Sequence, residues 1–475
     1  MARNILNRLI NNPFIGHSKN YLIGEIFNNA IVFMTIPIFT RLLVPDDYGL
    51  LSVFTSLISI FSVIFGLNIH SSAARKYYEK DGEFKNFLGT NLIFLVIFNI
   101  ILITILFFLK DSIAVFFSVD SNLFFIAVIV SSFTFFTLLQ LSYFRASQKS
   151  LSYAILSIIK NLAITVIAIA WIYYLPENKY LGKIYAQLIV TAVFFIIFIV
   201  NLFRLSSLSF NVKHLKYSLL FGIPLIPHTL SGYILAHFDK IIINQISGSH
   251  DTGLYSFAYN IGMLLNVVII ATSKAWSPIF FQQLRSNKYD KIQSMSDKYS
   301  KVIFAIALLL VLFSNEAVKI MADEKYYSAF GIIPIIILGY VFTFLYTLFF
   351  QYAACRKKTW LISIFTFIAG GTNISLNYIF IPYFGYVAAA WTTLASYILL
   401  FILHYINSKF ILKEKVITMK HIFIDLAILI SCVILYFYIP IEISFIQISI
   451  KVFLFLGYCI IIFRKYLLKI IMRKS

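Results

Sequence analysis

Ionisable side chains inside long apolar runs are costly in a bilayer, so each needs a partner or a function. Glu25 sits in Tyr21-Leu-Ile-Gly-Glu-Ile-Phe27, and Lys160 sits in Ile158-Ile-Lys-Asn161. His228, His237 and the pair Asp239-Lys240 share one run that opens near residue 217. A cation held in such a run can grip a phosphate, and an acid can carry a coupling proton or sodium ion. Glu25, Lys160, Asp239, Lys240 and His228 are therefore candidate site residues. The plainer readings are lateral pairing, snorkelling toward the interface, or a hydrogen-bonded core histidine. Asp425 lies near a basic loop, where an interfacial position accounts for it. Arg41 closes the first run in Phe39-Thr-Arg-Leu-Leu-Val-Pro-Asp-Asp-Tyr-Gly49. Its guanidinium suits bidentate phosphate binding, or a tether to Asp46 or Asp47. The run Phe221-Gly-Ile-Pro-Leu-Ile-Pro-His228 carries Gly222, Pro224 and Pro227. These break a helical hydrogen-bond ladder and mark a hinge, and freed carbonyls at membrane depth are tolerated only against protein or a wet cavity. Pro37 interrupts the first run in the same manner.

The elements that must position these groups are spanning helices. Of 475 residues, 60% are hydrophobic and 12% charged, whereas a soluble domain is about half apolar and a quarter charged. Fourteen apolar runs are long enough to span: 20–43, 48–70, 87–109, 122–144, 151–175, 181–203, 217–244, 252–273, 301–321, 329–353, 359–380, 385–407, 421–439 and 444–463. With the N-terminus inside, the inner segments hold 30 Lys and Arg, including Arg75, and the outer loops hold 7. That bias recurs at every loop, which fits fourteen spans with both termini cytoplasmic. It also explains the net charge of +20 without a nucleic-acid partner. The start, Met1 to Pro13, is basic and amphipathic and carries no cleavage site of the secretory kind. Cys355, Cys432 and Cys459 form no CxxC, so neither a disulfide framework nor a metal site is expected, and no cofactor. No loop has room for a soluble catalytic domain.

The chain repeats itself. Tyr48-Gly-Leu-Leu-Ser-Val-Phe54 opens the second span, and Thr252-Gly-Leu-Tyr-Ser-Phe-Ala258 opens the eighth. Gly182 before the sixth span matches Gly385 before the twelfth. The expected fold is an all-α polytopic membrane protein with about fourteen transmembrane helices. Two parallel six-helix repeats, 1–208 and 209–412, would surround a central cavity. Residues 413–475 would add two C-terminal helices and a basic tail.

Arg41-Leu-Leu-Val-Pro-Asp-Asp-Tyr-Gly49, Gly222-Ile-Pro-Leu-Ile-Pro227, Phe238-Asp-Lys-Ile-Ile-Ile243 and Gly253-Leu-Tyr-Ser-Phe-Ala-Tyr259 together resemble the Wzx-type polysaccharide flippases. These belong to the superfamily of multidrug, oligosaccharidyl-lipid and polysaccharide exporters. The likeness covers about residues 18–410. It implies a cationic cavity that receives the pyrophosphate-sugar head of a polyprenol-linked oligosaccharide and opens to alternate sides. Arg41 and Arg75 stand near positions where relatives carry cavity cations, and Lys240 stands where the family usually has Arg. The implied partners are the lipid-linked oligosaccharide, membrane lipids, a coupling proton or sodium ion, and polysaccharide polymerase machinery. The implied site of action is the bacterial cytoplasmic membrane. The two extra helices resemble the longer lipid II branch. A cation-coupled drug or metabolite exporter is the alternative within the same architecture. A membrane polymerase or acyltransferase fits less well, because the long outer loop such enzymes carry is missing.

Overall fold

The computed structural model describes residues 13–414, 417–437 and 445–471. The topogenic cations Arg3, Arg8, Lys415, Arg473 and Lys474 lie outside the described residues. Everything regular among the described residues is helical. In chain order the helices are α1 (Pro13–Leu42), α2 (Pro45–Gly66), α3 (Ile69–Glu79), α4 (Phe84–Phe108), α5 (Lys110–Phe117), α6 (Ser121–Ala146), α7 (Ser150–Tyr174), α8 (Tyr180–Leu205) and α9 (Val212–Gly222). They continue as α10 (Ile226–Arg285), α11 (Tyr289–Leu312), α12 (Ser314–Met321), α13 (Ile333–Cys355), α14 (Thr359–Ile406), α15 (Lys420–Tyr436) and α16 (Phe445–Ile471).

Eight stretches are long and apolar enough to cross a membrane, or nine if the bent pair α11–α12 is one span. α10 and α14 each join two helices through one glycine with a positive φ, Gly248 (88°) and Gly385 (59°). Counting those joints, and adding α1 and the shorter apolar helices α15 and α16, puts a helix at every one of the fourteen expected positions. The chain is a multi-pass membrane protein. Its outward residues are those of a lipid-facing surface: Ile97, Ile100, Ile101, Phe107 and Phe108 of α4 are all exposed, an arrangement water would penalise.

Two compact units divide the chain, Met1–Gly253 and Leu254–Ser475. The seventh span thus packs with the first unit, although the repeat places its boundary at 208/209. In the first unit α2 packs on α6, α1 on α7, and α7 on α8, while α9 lies against α3 and α4. Its core holds Phe54, Leu57, Phe65, Phe87 and Leu95. The turns are chemically specified. Val44 precedes Pro45 at the first helical position, and Asp46 and Asp47 follow in the first turn of α2, where Pro and negative charge both suit a helix N-terminus. Asp120 caps α6 by accepting from the Asn122 (2.8 Å) and Leu123 (3.2 Å) amides. In the second unit α13 packs on α14, and α11 contacts α13, α15 and α16. Its core is Phe344, Leu345, Leu348, Phe349 and Tyr352.

Candidate functional site

Every candidate site residue read from the sequence falls in the first unit. Along the α1–α7 contact the packing is close, since a Cβ on Gly24 would sit 3.0 Å from the Ala154 Cβ. Three uncharged residues bridge the two helices there. Asn161 Nδ2 donates to Asn28 Oδ1 at 2.9 Å, and Asn28 Nδ2 donates to Ser157 Oγ at 3.1 Å. Glu25, half-buried one turn before Asn28, acts electrostatically on Tyr153 of α7. The Arg145 guanidinium lies 5.7 Å from the centre of that tyrosine ring. Lys160 turns the other way and donates to Thr137 Oγ1 of α6 at 3.3 Å. Thr137 offers a neutral hydroxyl, so the ammonium keeps capacity to donate to a phosphate.

The seventh span is pinned along its length. α9 ends at Gly222, where a Cβ would stand 2.3 Å from the Leu67 carbonyl oxygen. Only glycine permits that approach. One 3₁₀ turn, Ile223–Leu225, then carries the chain into α10, with Pro224 inside the turn and Pro227 in the first turn of α10. Proline lacks an N–H, so the tighter turn forms where donors are missing. Asn68 donates to Thr229 Oγ1 at 3.3 Å. His228 is half-buried and its Nδ1 has no hydrogen-bond partner. His237 stacks on Tyr233 with centroids 6.0 Å apart. Asp239 and Lys240 are buried, at 1% and 8% exposure, and the carboxylate acts directly on the ammonium. Beyond them Asn244 donates to the carbonyls of Phe117 (3.3 Å) and Ser118 (2.8 Å). The expected hinge residues therefore lie together in one turn, and Asp239 and Lys240 lie three helical turns further on.

Arg41 stands in the last turn of α1 with its side chain exposed, and Nη1 donates to the Pro37 carbonyl at 3.0 Å. Asp46 is engaged from α10, by Ser249 Oγ at 2.8 Å and His250 Nδ1 at 3.1 Å. At this place the two copies of the repeated motif meet. A Cβ on Gly49 would lie 2.0 Å from the Ser249 carbonyl oxygen, and one on Gly253 1.8 Å from that of Pro45. Lys183 of α8 lies 4.3 Å from the Phe39 ring centre. Its charge falls beside Arg41's turn.

Arg75 lies on α3, an amphipathic helix, not on a span. Its guanidinium sits 5.0 Å from the Phe221 ring centre and 5.8 Å from that of Tyr217, and it pairs with Glu79 at 3.8 Å. The Tyr217 hydroxyl donates to Glu79 Oε1 at 2.5 Å. Lys76, buried beside it, is bound by Asp81 and by Glu79 at 3.2 Å. The Tyr217 and Lys76 hydrogen bonds hold the Glu79 carboxyl below its usual range, and the Lys76 hydrogen bond does the same for Asp81. Arg75 thus belongs to a clasp that fastens α3 to α9.

Sequence reasoning passed over Asn28, Ser157, Asn161 and Lys183. Their signal was present for the first three: uncharged polar residues one helical turn from Glu25 or beside Lys160. Asp425, near the start of α15, is 4% exposed and acts on Tyr458 of α16. The three cysteines are free and half-buried. Among the described residues no group of three or more His, Cys, Asp or Glu is placed to hold a metal.

Residues 20–283, more than half of the chain, match the polysaccharide biosynthesis protein family. The chain belongs to that family. Residues 224–379 also match the MatE family. A protein of the Lsg locus of Haemophilus influenzae is 28% identical over 56% of this chain. An uncharacterised membrane protein of the same organism is 23% identical over 57%. The chain spans 66% of the length of each relative, just under two thirds. Among solved structures, the lipid II flippase MurJ is similar over 95% of this chain and 100% of its own, with a TM-score of 0.73 at 17% identity. A multidrug resistance MATE family transporter of the MOP superfamily is similar over 82% of this chain and 96% of its own, with a TM-score of 0.63 at 15% identity. This member of the polysaccharide biosynthesis proteins therefore has the fold of the MOP transporters.

Proposed function

We propose that the chain is a flippase. It carries a polyprenyl-pyrophosphate-linked oligosaccharide repeat unit from the cytoplasmic to the outer leaflet of a bacterial cytoplasmic membrane, with both termini cytoplasmic, for surface polysaccharide synthesis. It works by alternating access and makes or breaks no covalent bond. The observation that carries this reading is the family match over residues 20–283, the stretch that also holds the membrane-embedded cations Lys160 and Lys240. An anionic head group needs such cations, and burial strengthens their grip. Lys160, Lys240, His228 and Arg41 are the proposed head-group contacts. Glu25 and Asp239 are the proposed ion-coupling groups, and Gly222, Pro224 and Pro227 the hinge. Arg75 acts at one remove, by fastening α3 to α9.

Deleting the gene in its host tests the reading. Loss of surface polymer, with single repeat units trapped on lipid, is the expected result. Unchanged polymer and no trapped intermediate, in a host with no second flippase, overturns it. Lys160→Ala and Arg41→Ala should remain in the membrane and fail to restore polymer.

The MatE match over residues 224–379 favours a second reading, export of a drug or metabolite coupled to a cation. It predicts a deletion strain with normal polymer and heightened sensitivity to cationic compounds.

A further inference from the structure

The twelfth span ends in a turn that hides more polar atoms than it satisfies. α14 runs to Ile406 and passes into a single π turn, Asn407–Ile411, where the Leu412 amide donates to the Asn407 carbonyl at 2.8 Å. His404, Asn407 and Ser408 are each 0% exposed. Residues three and four apart share a helix face, so the three side chains lie along one strip. None of their side-chain polar atoms has a hydrogen-bond partner: His404 Nδ1 and Nε2, Asn407 Nδ2 and Oδ1, and Ser408 Oγ. Buried polar atoms in folded proteins are almost always paired with protein or ordered water. Five in one turn mark a place that takes a polar ligand.

The surroundings narrow the ligand. Three aromatic rings enclose the imidazole. Tyr346 stacks on it at 5.5 Å and 28°, while Phe365 stands edge-on at 5.3 Å and Phe350 at 6.3 Å. Ring faces favour a cation over a neutral imidazole. Calcium and magnesium demand several oxygen ligands, usually with carboxylates among them, and zinc demands three or four His, Cys or carboxylate ligands. The strip offers one amide oxygen and one hydroxyl. The nearby acid, Glu414, is committed to Arg356. Beyond Ser408 that pair reaches the surface. The Glu414 amide donates to the Ser408 carbonyl at 3.2 Å. Its buried carboxylate is capped by Arg356, whose side chain is 57% exposed.

We propose that His404, Asn407 and Ser408 form a hydrated proton-binding site at the end of the twelfth span. The imidazole nitrogen that holds the lone pair takes a proton from a hydronium ion, which leaves as water. Asn407 Oδ1 and Ser408 Oγ accept, directly or through water, from the imidazolium N–H groups. The titratable and charged groups around the site are Tyr346 on α13, Tyr405 and Lys409 on the same strand of chain, and the Arg356–Glu414 pair beyond Ser408. Lys420 and Asp425 come from α15, which packs on α13. The site stands whether or not the chain is a flippase, because its test reads protons and water, not glycan.

The experiment uses the full chain in lipid nanodiscs, with two readouts. For the first, Cys355, Cys432 and Cys459 are replaced by Ala, and Ser408→Cys is compared with Leu400→Cys, a buried position about two turns earlier, in α14, using a small water-soluble thiosulfonate. Thiol reaction needs a thiolate and water. Ser408→Cys should label about tenfold faster or more. For the second, proton uptake is measured between about pH 8 and about pH 3, a window that brackets histidine ionisation in exposed and buried settings. The unmodified chain should take up about one more proton than His404→Gln, and Ser408→Ala should shift that step to lower pH. Size-exclusion elution of each variant confirms folding, and Ser408→Ala supplies the titration result if His404→Gln aggregates. Equal labelling at positions 408 and 400 overturns the proposal. Fast labelling with no difference in proton uptake also overturns it, leaving a water site only.

Discussion

Replacing Gly49 or Gly253 with alanine pushes a Cβ onto a backbone carbonyl, at 2.0 and 1.8 Å. Backbone cannot swing aside as a long side chain does. Each substitution should destabilise by about 1–3 kcal/mol, the cost of overpacking. A thermal melt of the purified protein measures this. Gly232→Ala is the control: nothing lies within 4 Å of its Cβ, so the melt should hold or rise, as Ala favours helix over Gly. Both tight glycines were visible in the sequence as matched members of a repeat. That they touch was not visible, because periodicity places a residue on a face and says nothing of what the face meets. The same limit applies to Lys160. Its depth in a span was legible, while its bond to Thr137 across to α6 depends on which of two neighbours the side chain turns toward.

At the scale of the element, the hinge and the clasp make separate predictions. Pro227 lies in the first turn of α10, where a missing N–H costs little. Pro227→Ala should therefore leave the melting temperature nearly unchanged and slow translocation, read as the rate at which lipid-linked repeat units reach the outer leaflet. An unchanged rate would remove Pro227 from the hinge. The clasp between α3 and α9 should respond to pH. Glu79 and Asp81 have depressed pKa values, so their contribution is present above the ordinary carboxyl range and is lost as pH falls through the folded values. Lys76 is raised, chiefly by its hydrogen bond to Asp81. Its contribution is full below the ordinary lysine value and is lost only as pH rises through the folded one. The coupling between Tyr217→Phe and Glu79→Gln, measured by thermal double-mutant cycle, should be flat from about pH 5 to about pH 9 and shrink toward zero below about pH 4. The break at Gly222, Pro224 and Pro227 was legible in residue types. The clasp was not, because Arg75 in a basic loop carries the same signature whether it sets topology, binds substrate or covers an aromatic ring.

At the scale of the whole molecule, the last two helices are fastened into the second unit. Lys451 Nζ of α16 donates to both carboxylate oxygens of Glu316, at 2.7 and 3.0 Å. Tyr436 of α15 bonds Asn315 and, at 3.2 Å, the Phe330 carbonyl. With both charges largely buried, removing one partner strands the other. Lys451→Met should cost about 3 kcal/mol or more, and adding Glu316→Gln should recover part of it. Melts of the single and double variants decide this. If Lys451→Met melts like the unmodified chain, α16 is not held by that pair. All fourteen span positions were legible, since apolar length and loop charge are strong signals at this scale. The division between compact units was less so. A duplicated sequence marks where copies begin, whereas packing is decided by contacts such as those of Gly222 and Asn68 that draw the seventh span to the first unit. The meeting of Gly49 with Gly253 also bears on how such a chain can drift over generations. A duplication ordinarily frees one copy to diverge, but here each copy is the other's steric boundary. A bulkier residue in one motif can survive only if the opposite backbone has already moved. Related chains should therefore change the two positions together or neither, so that this one crossing ages as a single unit while the spans around it diverge.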